Sequence, residues 1–406
     1  MTEPDEVLFN PFAPGFFEDP YAQYKLLRDE DPVQNHPLGF WFVSRYEDVS
    51  ALLKAGLSVE VANLAPAAFN EQIEYFASED NAGALNRSML DRDPPDHTRL
   101  RSLVTKVFTR RAIAALEPQI VRLVDDALDR MAELGSSDLV EELAFPLPFA
   151  VISAMLGMPP TDHARIRELS GTLVRSLEIV ADEESARAIV AADAELTAIT
   201  REVIAWKRDN PADDLLTALI AAEHDGQVLD GDELVAQVVL LYVAGHETTV
   251  NLIANGVNAL LRHPDQLALL RARPDLAANA VEEFLRYDSP VQQTRRITTS
   301  PHAVAGKEIP AGTFVLACLG SANRDERYFG PDADQLRLDR PEARHQVSFG
   351  AGPHHCLGAA LARLEGQVAI NRLVQRFPEL DFAGELTWNG RINLRGPAKF
   401  PVTVHD

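Results

Sequence analysis

Ser348-Phe-Gly-Ala-Gly-Pro-His-His-Cys-Leu-Gly-Ala-Ala-Leu-Ala-Arg-Leu-Glu365 decides how the rest of the chain is read. Gly350, Gly352 and Gly358 bracket Cys356, and the residues after them settle into an Ala/Leu-rich helical run. A loop therefore delivers a cysteine to a helix start. The unpaired N–H groups and partial positive charge of a helix N-terminus favour thiolate over thiol. The glycines let the backbone turn tightly and approach the sulfur, and Phe349 can shield one side of it from water. A thiolate held in this way is a soft metal ligand or a nucleophile.

A lone cysteine is most often an inert core residue. A zinc site needs about four ligands. His354 and His355 adjoin Cys356, but the other cysteine is Cys318 and no C-x-x-C pair exists. A Cys-His nucleophile also fits the residues, although such pairs are normally far apart in sequence. The pattern F-G-x-G-x-H-x-C-x-G, carried by Phe349, Gly350, Gly352, His354, Cys356 and Gly358, resembles the haem-binding signature of the cytochrome P450s, the haem-thiolate monooxygenases. The resemblance covers the chain from about Pro11 to its C-terminus. It implies a mainly α fold with a smaller β-rich region (α+β), in which a long central helix lies over haem b and the Cys356 loop beneath it. It also implies one catalytic domain over residues 1–406, with no fused reductase.

With 46% hydrophobic and 24% charged residues, the 406-residue chain has ample material for a soluble globular core. Met1-Thr-Glu-Pro-Asp-Glu6 lacks the basic start and apolar run of a signal peptide, and the apolar stretch from Leu234 to Gly245 is too short to span a bilayer. Two cysteines fit a reducing cytoplasm. No membrane anchor is expected, which within the resemblance points to the soluble bacterial type. The net charge of −23 argues against nucleic-acid and anionic-membrane partners. It also makes local basic patches informative, and one runs from His97 to Arg111.

Gly39-Phe-Trp-Phe-Val-Ser-Arg45 reads as a strand. Residues 57–90 lose periodicity and read as a functional loop; the resemblance makes it the cap of the substrate pocket. Asp93-Pro-Pro-Asp-His-Thr-Arg-Leu-Arg101 marks a helix start that places His97 and Arg101 on one face. The resemblance assigns these two to a haem propionate, and Arg99, Lys106, Arg110 and Arg111 to the proximal basic face where a ferredoxin docks. Residues 112–225 read as helical, with interruptions at Gly135-Ser136-Ser137, Pro159-Pro160 and Asn210-Pro211. Within them, about Ile166 to Asp193 corresponds to the family's pocket roof, with Leu173, Val174, Leu177 and Ile179 as pocket or core residues.

Asp230 followed by Glu233 is a capping pattern, and the next proline is Pro264, which predicts one helix of about 30 residues and about 45 Å. Its first half, Leu234 to Val243, is apolar nearly all round and should run through the core. Ala244-Gly-His-Glu-Thr-Thr249 then sets a glycine, costing up to about 1 kcal/mol in a helix, beside an acid and a hydroxyl. Taken alone, this run also fits a Thr248 that bonds the carbonyl one turn back and a Glu247 at the surface. Beside the cysteine signature it resembles the A-G-x-[D/E]-T-[T/S] motif. The resemblance implies that Ala244 and Gly245 make room for dioxygen at the haem, that Thr248 hydrogen-bonds it, and that Glu247 relays protons. His246 is assigned to packing.

Glu283-Phe-Leu-Arg286 resembles the E-x-x-R element, whose second arginine would be Arg340 in Leu338-Asp-Arg-Pro341. These three are structural by that resemblance. Arg296 stands where relatives clamp the second propionate, and Arg295 leaves the register open by one. Leu241, Gln292, Gln293 and Ile392 are candidate pocket residues, with Asn393 as a further polar anchor; Ala322-Asn-Arg-Asp325 and Cys318 are read as structural. The implied reaction inserts one atom of O2 into a largely hydrophobic small molecule, with electrons from NAD(P)H through ferredoxin reductase and ferredoxin. Two alternatives are a hydrogen-peroxide-dependent peroxygenase and a non-enzymatic haem carrier or gas sensor. The Glu247–Thr248 pair argues against both, because a proton relay serves reductive oxygen activation.

Overall fold

The computed structural model describes residues 7–65, 84, 87–159, 163–178, 183–224 and 227–405. Of the stretches expected to cap or roof a pocket, 66–83, 85–86 and 179–182, with Ile179 among them, lie outside these residues. Mainly α structure with a small β region is present, as the sequence implied. In chain order, the helices that position functional side chains are α1 (Tyr21–Glu30), α2 (Tyr46–Lys54), α3 (Asp96–Val107), α4 (Glu117–Leu134), α5 (Pro146–Leu156), α6 (Glu183–Asp209), α7 (Gly231–Arg262), α8 (Ala277–Tyr287) and α9 (Ala359–Arg376). Among the described residues, no helix is long and apolar enough to cross a membrane.

The chain divides into two compact units. One comprises Met1–Glu74, Ala254–Cys356 and Gly384–Phe400. Its sheet is built from β1 (Val33–Asn35), β2 (Phe40–Val43), β3 (Gln293–Ile297) and β4 (Phe314–Cys318), in the order β1-β2-β4-β3. The aromatic and β-branched β2 pairs antiparallel with β1 and parallel with β4, while β3 runs antiparallel to β4. Val33, Val43, Val49, Leu52, Leu53, Ile309 and Val315 are buried together where this sheet meets α2. The other unit comprises Tyr75–Ile253, Leu357–Ala383 and Pro401–Asp406. There, Arg372 on α9 forks onto Asp125 of α4 at 2.6 and 2.7 Å.

The Glu283–Arg286–Arg340 element is buried in the first unit. Arg286 meets both Glu283 oxygens at 2.7 Å, and Arg340 Nε reaches Glu283 Oε1 at 3.3 Å and Asp332 Oδ1 through Nη1 at 3.0 Å. The remaining donors do not go unused. Arg286 also bonds the carbonyls of Asn323, Ala333 and Gln335, and Arg340 those of Phe329, Asp332 and Gln335. Two carboxylates therefore balance two guanidiniums, and each arginine pins distant backbone. The residues after this cluster carry the tension onward: Asn323 accepts from Val347 N–H at 2.8 Å and donates to Ser348 Oγ, which itself donates to Leu285 O.

Removing one partner of a buried ion pair leaves its counter-charge stranded, at about 3–5 kcal/mol. Arg286→Ala is expected to lower the unfolding free energy by that order, whereas Glu183→Ala should leave it within about 0.5 kcal/mol, because the Arg187–Glu183 pair is 71% and 79% exposed. Equal effects in urea titrations would contradict the role of the buried cluster.

Candidate active site

Cys356 is the exposed cysteine and Cys318 the buried one. The loop before α9 is closed by two turns and a longer bond: Gly350 N–H donates to Val347 O at 2.8 Å, His355 N–H to Gly352 O at 3.1 Å, and Cys356 N–H to Phe349 O at 2.9 Å. Gly350 and Gly352 both have positive φ, +67° and +71°. At Gly352 a methyl would also lie 2.5 Å from the Leu53 carbonyl at the end of α2, so this glycine lets the loop lean on α2. His354 sits in the short 3-10 turn Gly352–His354, Phe349 is half-buried, and Gly358 caps α9. Among the described residues no cluster of three or more His, Cys, Asp and Glu side chains could hold a metal ion. The donor set here is a single accessible thiol at a helix start, whose chemistry would suit it to hold a haem iron.

In the second unit, α7 begins with the anticipated reciprocal cap: Glu233 N–H donates to Asp230 Oδ1 at 2.7 Å and Asp230 N–H to Glu233 Oε2 at 3.0 Å. Leu234 to Val243 are buried throughout. Ala244 and Gly245 then break the pattern by being exposed, with Glu247 and Thr248 half-buried. A methyl placed on Gly245 would meet nothing within 4 Å, so open space adjoins the helix at this point. Thr248 Oγ1 donates to Ala244 O at 2.9 Å and Thr249 Oγ1 to Gly245 O at 3.3 Å. On α3, His97 is buried and Arg101 half-buried one turn later.

Several other residues differ in setting from their reading in the sequence. Arg99 does not stand on an open basic face; its guanidinium is ion-paired with Glu233 of α7. Lys106, Arg110 and Arg111 remain exposed. Gln292 is buried and spends its amide on Tyr21 Oη at 3.2 Å and Ser289 O at 2.7 Å. Gln293 is buried too, and Asn393 Oδ1 accepts from its backbone N–H at 3.0 Å. Ile392 packs with Phe9, Phe16, Tyr24 and Phe42. Among the described residues, Gln292 Oε1 and Gln293 Nε2 are buried without a hydrogen-bond partner, so each of these two amides keeps one polar atom unengaged. Arg296 is buried on β3, donating to Thr294 Oγ1 at 3.2 Å and Arg295 O at 2.6 Å, while Arg295 is half-buried. Leu241 is buried in the apolar run of α7. Gln237, fully buried in that run, was not singled out as functional; its Oε1 accepts from Met89 N–H at 3.2 Å and ties the segment before α3 to α7.

A cytochrome P450 family profile matches residues 40–382. Cytochrome P450 107B1 of Saccharopolyspora erythraea is 43% identical over 400 residues, covering 96% of this chain and 96% of its own. A vitamin D(3) 25-hydroxylase of Pseudonocardia autotrophica is 41% identical over 402 residues, covering 97% of this chain and 96% of its own. The solved structure of P450BioI in complex with an acyl carrier protein ligated to hexadec-9Z-enoic acid superposes with a TM-score of 0.88 at 34% identity, covering 96% of this chain and 99% of that one. The chain belongs to the cytochrome P450 family and is a monooxygenase of the bacterial type. The family implies a haem-iron cofactor and the use of dioxygen.

Burial sets three titrations apart. It pushes the Cys318 thiol up to about 12, so that residue stays a neutral core thiol. It holds the His246 imidazole down at about 4, with Arg167 adding to the effect. It pushes the carboxyl of Glu365, buried on α9, up to about 8. A folded-state carboxyl pKa above the unfolded value of 4.5 means that stability is fully present below about pH 4.5 and is lost as pH rises through 8. His246 acts oppositely and only in acid: its contribution is present above its ordinary 6.5 and lost as pH falls through 4. Above pH 6.5, Glu365 should therefore remove about 1 kcal/mol of stability per pH unit, a slope that levels off near pH 8, and Glu365→Gln should flatten it in urea titrations. An unchanged slope would mean that Glu365 is already ionised in the folded protein.

Proposed function

We propose that this monooxygenase binds haem b through the Cys356 thiolate and inserts one atom of dioxygen into a largely hydrophobic small organic substrate, the other atom leaving as water. Electrons come from NAD(P)H through a ferredoxin reductase and a ferredoxin, for which Lys106, Arg110 and Arg111 offer an exposed basic face. The whole chain acts as one catalytic domain, in a reducing cytoplasm that suits a functional thiolate. The observation that carries this reading is the opening at Ala244 and Gly245 directly after the buried run Leu234 to Val243, with an acid and a hydroxyl beside it.

When bound, haem supplies an iron that takes up electrons singly and activates dioxygen. His97, Arg101 and Arg296 would hold its propionates by charge-assisted hydrogen bonds. Phe349, Gly350, His354 and Gly358 would shape the loop around the thiolate, and backbone N–H groups near the sulfur would tune its electron donation. Because Thr248 donates its proton to Ala244 O, its lone pairs face outward as acceptors, suited to steady a protonated partner at the opening. Glu247, half-buried beside it, can carry a proton between solvent and that point. The vitamin D(3) hydroxylase among the relatives supports hydroxylation of an apolar molecule.

Thr248→Ala is expected to keep consuming NAD(P)H while product per NAD(P)H falls roughly tenfold or more and hydrogen peroxide release rises in step. Assayed with a compound that shifts the holoenzyme from low to high spin, unchanged coupling would overturn the proton-relay reading.

A further inference from the structure

His246 stands in the middle of the opening on α7, yet it is 3% exposed and lies in the opposite direction from it. Its Nε2 is 3.1 Å from the backbone carbonyl of Phe145, which can only accept, so the ring is the Nε2–H tautomer and donates. The imidazole meets the Phe145 ring edge-on at 4.1 Å and the Phe149 ring at 5.8 Å. On the Phe145 ring lies the Arg167 guanidinium, 3.5 Å from its centroid. Phe145 itself joins a π-helical turn, Val140–Ala144, to α5, and its N–H donates to Val140 O at 2.9 Å. The imidazole is thus held at the corner where the π-helical turn meets α5.

Residues two apart on an α-helix point about 200° apart, so fixing the direction of His246 also fixes that of Ala244 and Thr248 on the far side. Gly245, beside open space, adds no packing to this turn, which is held by the buried Val243, His246, Thr249 and Val250; of the contacts His246 makes, the bond to Phe145 O is the directional one. The back-bonds from Thr248 and Thr249 to Ala244 and Gly245 lie within the helix and rotate with it. We propose that His246 is a positioning residue: by donating to the Phe145 carbonyl it sets the rotation of α7 at Gly245 and so aims Glu247 and Thr248 into the opening. Its part in the reaction is indirect and rests on the Glu247–Thr248 reading given above.

The test compares His246→Phe, which keeps an aromatic ring and loses the donor, with His246→Gln, which keeps an N–H near the position of Nε2. Two readouts are taken. One is amide hydrogen exchange over residues 243–249, with and without haem loaded. The other is hydrogen peroxide formed per NADPH by the holoenzyme driven by a plant-type ferredoxin and its reductase. In His246→Phe the amides should exchange at least tenfold faster and the peroxide fraction rise at least threefold, while exchange over α9 is unchanged; His246→Gln should restore both. Wild-type values in His246→Phe, or a His246→Gln as altered as His246→Phe, would overturn the proposal. Faster exchange spread equally over α9 would also overturn it, since that marks loss of general stability. Thr248→Ala separates the two layers: if it leaves the peroxide fraction unchanged, the relay reading fails, and if it raises peroxide while His246→Phe does not, the positioning role alone fails.

Discussion

A fully buried carboxylate with two guanidiniums on it is the constraint from which the cysteine loop hangs. Glu283 is buried, and its charge is tolerable only because Arg286 and Arg340 converge on it and Asp332 balances the second arginine. Those arginines then spend their remaining donors on backbone carbonyls between Asn323 and Gln335. Asn323 hands the restraint to Val347 and Ser348, where the loop to Cys356 begins. An apolar core of the same volume can match the net stability of such a cluster. What an apolar core could not do is pin named carbonyls at named positions.

The second unit solves a different problem, that of bringing polar groups into the middle of an apolar helix. Leu234 to Val243 anchor α7 in the core, and the capping box at Asp230 and Glu233 satisfies its first turn. Only past this anchor does the helix expose Ala244 and Gly245. The two threonines bond carbonyls one turn back, at the point where the glycine weakens the helix. Chemistry that needs an acid, a hydroxyl and space is thereby confined to one turn.

What was legible in the sequence was whatever depends on neighbours along the chain. The loop glycines, the cysteine before a helix, the Asp230–Glu233 cap and the Glu283–Arg286 spacing are all local patterns. Partners far apart in sequence were not legible. The bond from Gln292 to Tyr21 leaves no trace in the spacing of the two residues, and Arg99 reads as part of a basic face until Glu233 is found beside it. Arg340 was found only through the family resemblance, since nothing in its spacing links it to Glu283. His246 looked like packing because a helical pattern shows that a residue is buried and not what its ring donates to.

The central claim is that Cys356 holds the haem iron as a thiolate, and its most direct measurement is the carbon monoxide difference spectrum of the dithionite-reduced holoenzyme. The account predicts a strongly red-shifted Soret band in the wild type and in Cys318→Ser, and its loss in Cys356→Ser. A red-shifted band that survives in Cys356→Ser, or a blue-shifted band of the histidine or neutral-thiol kind in the haem-loaded wild type, would contradict it.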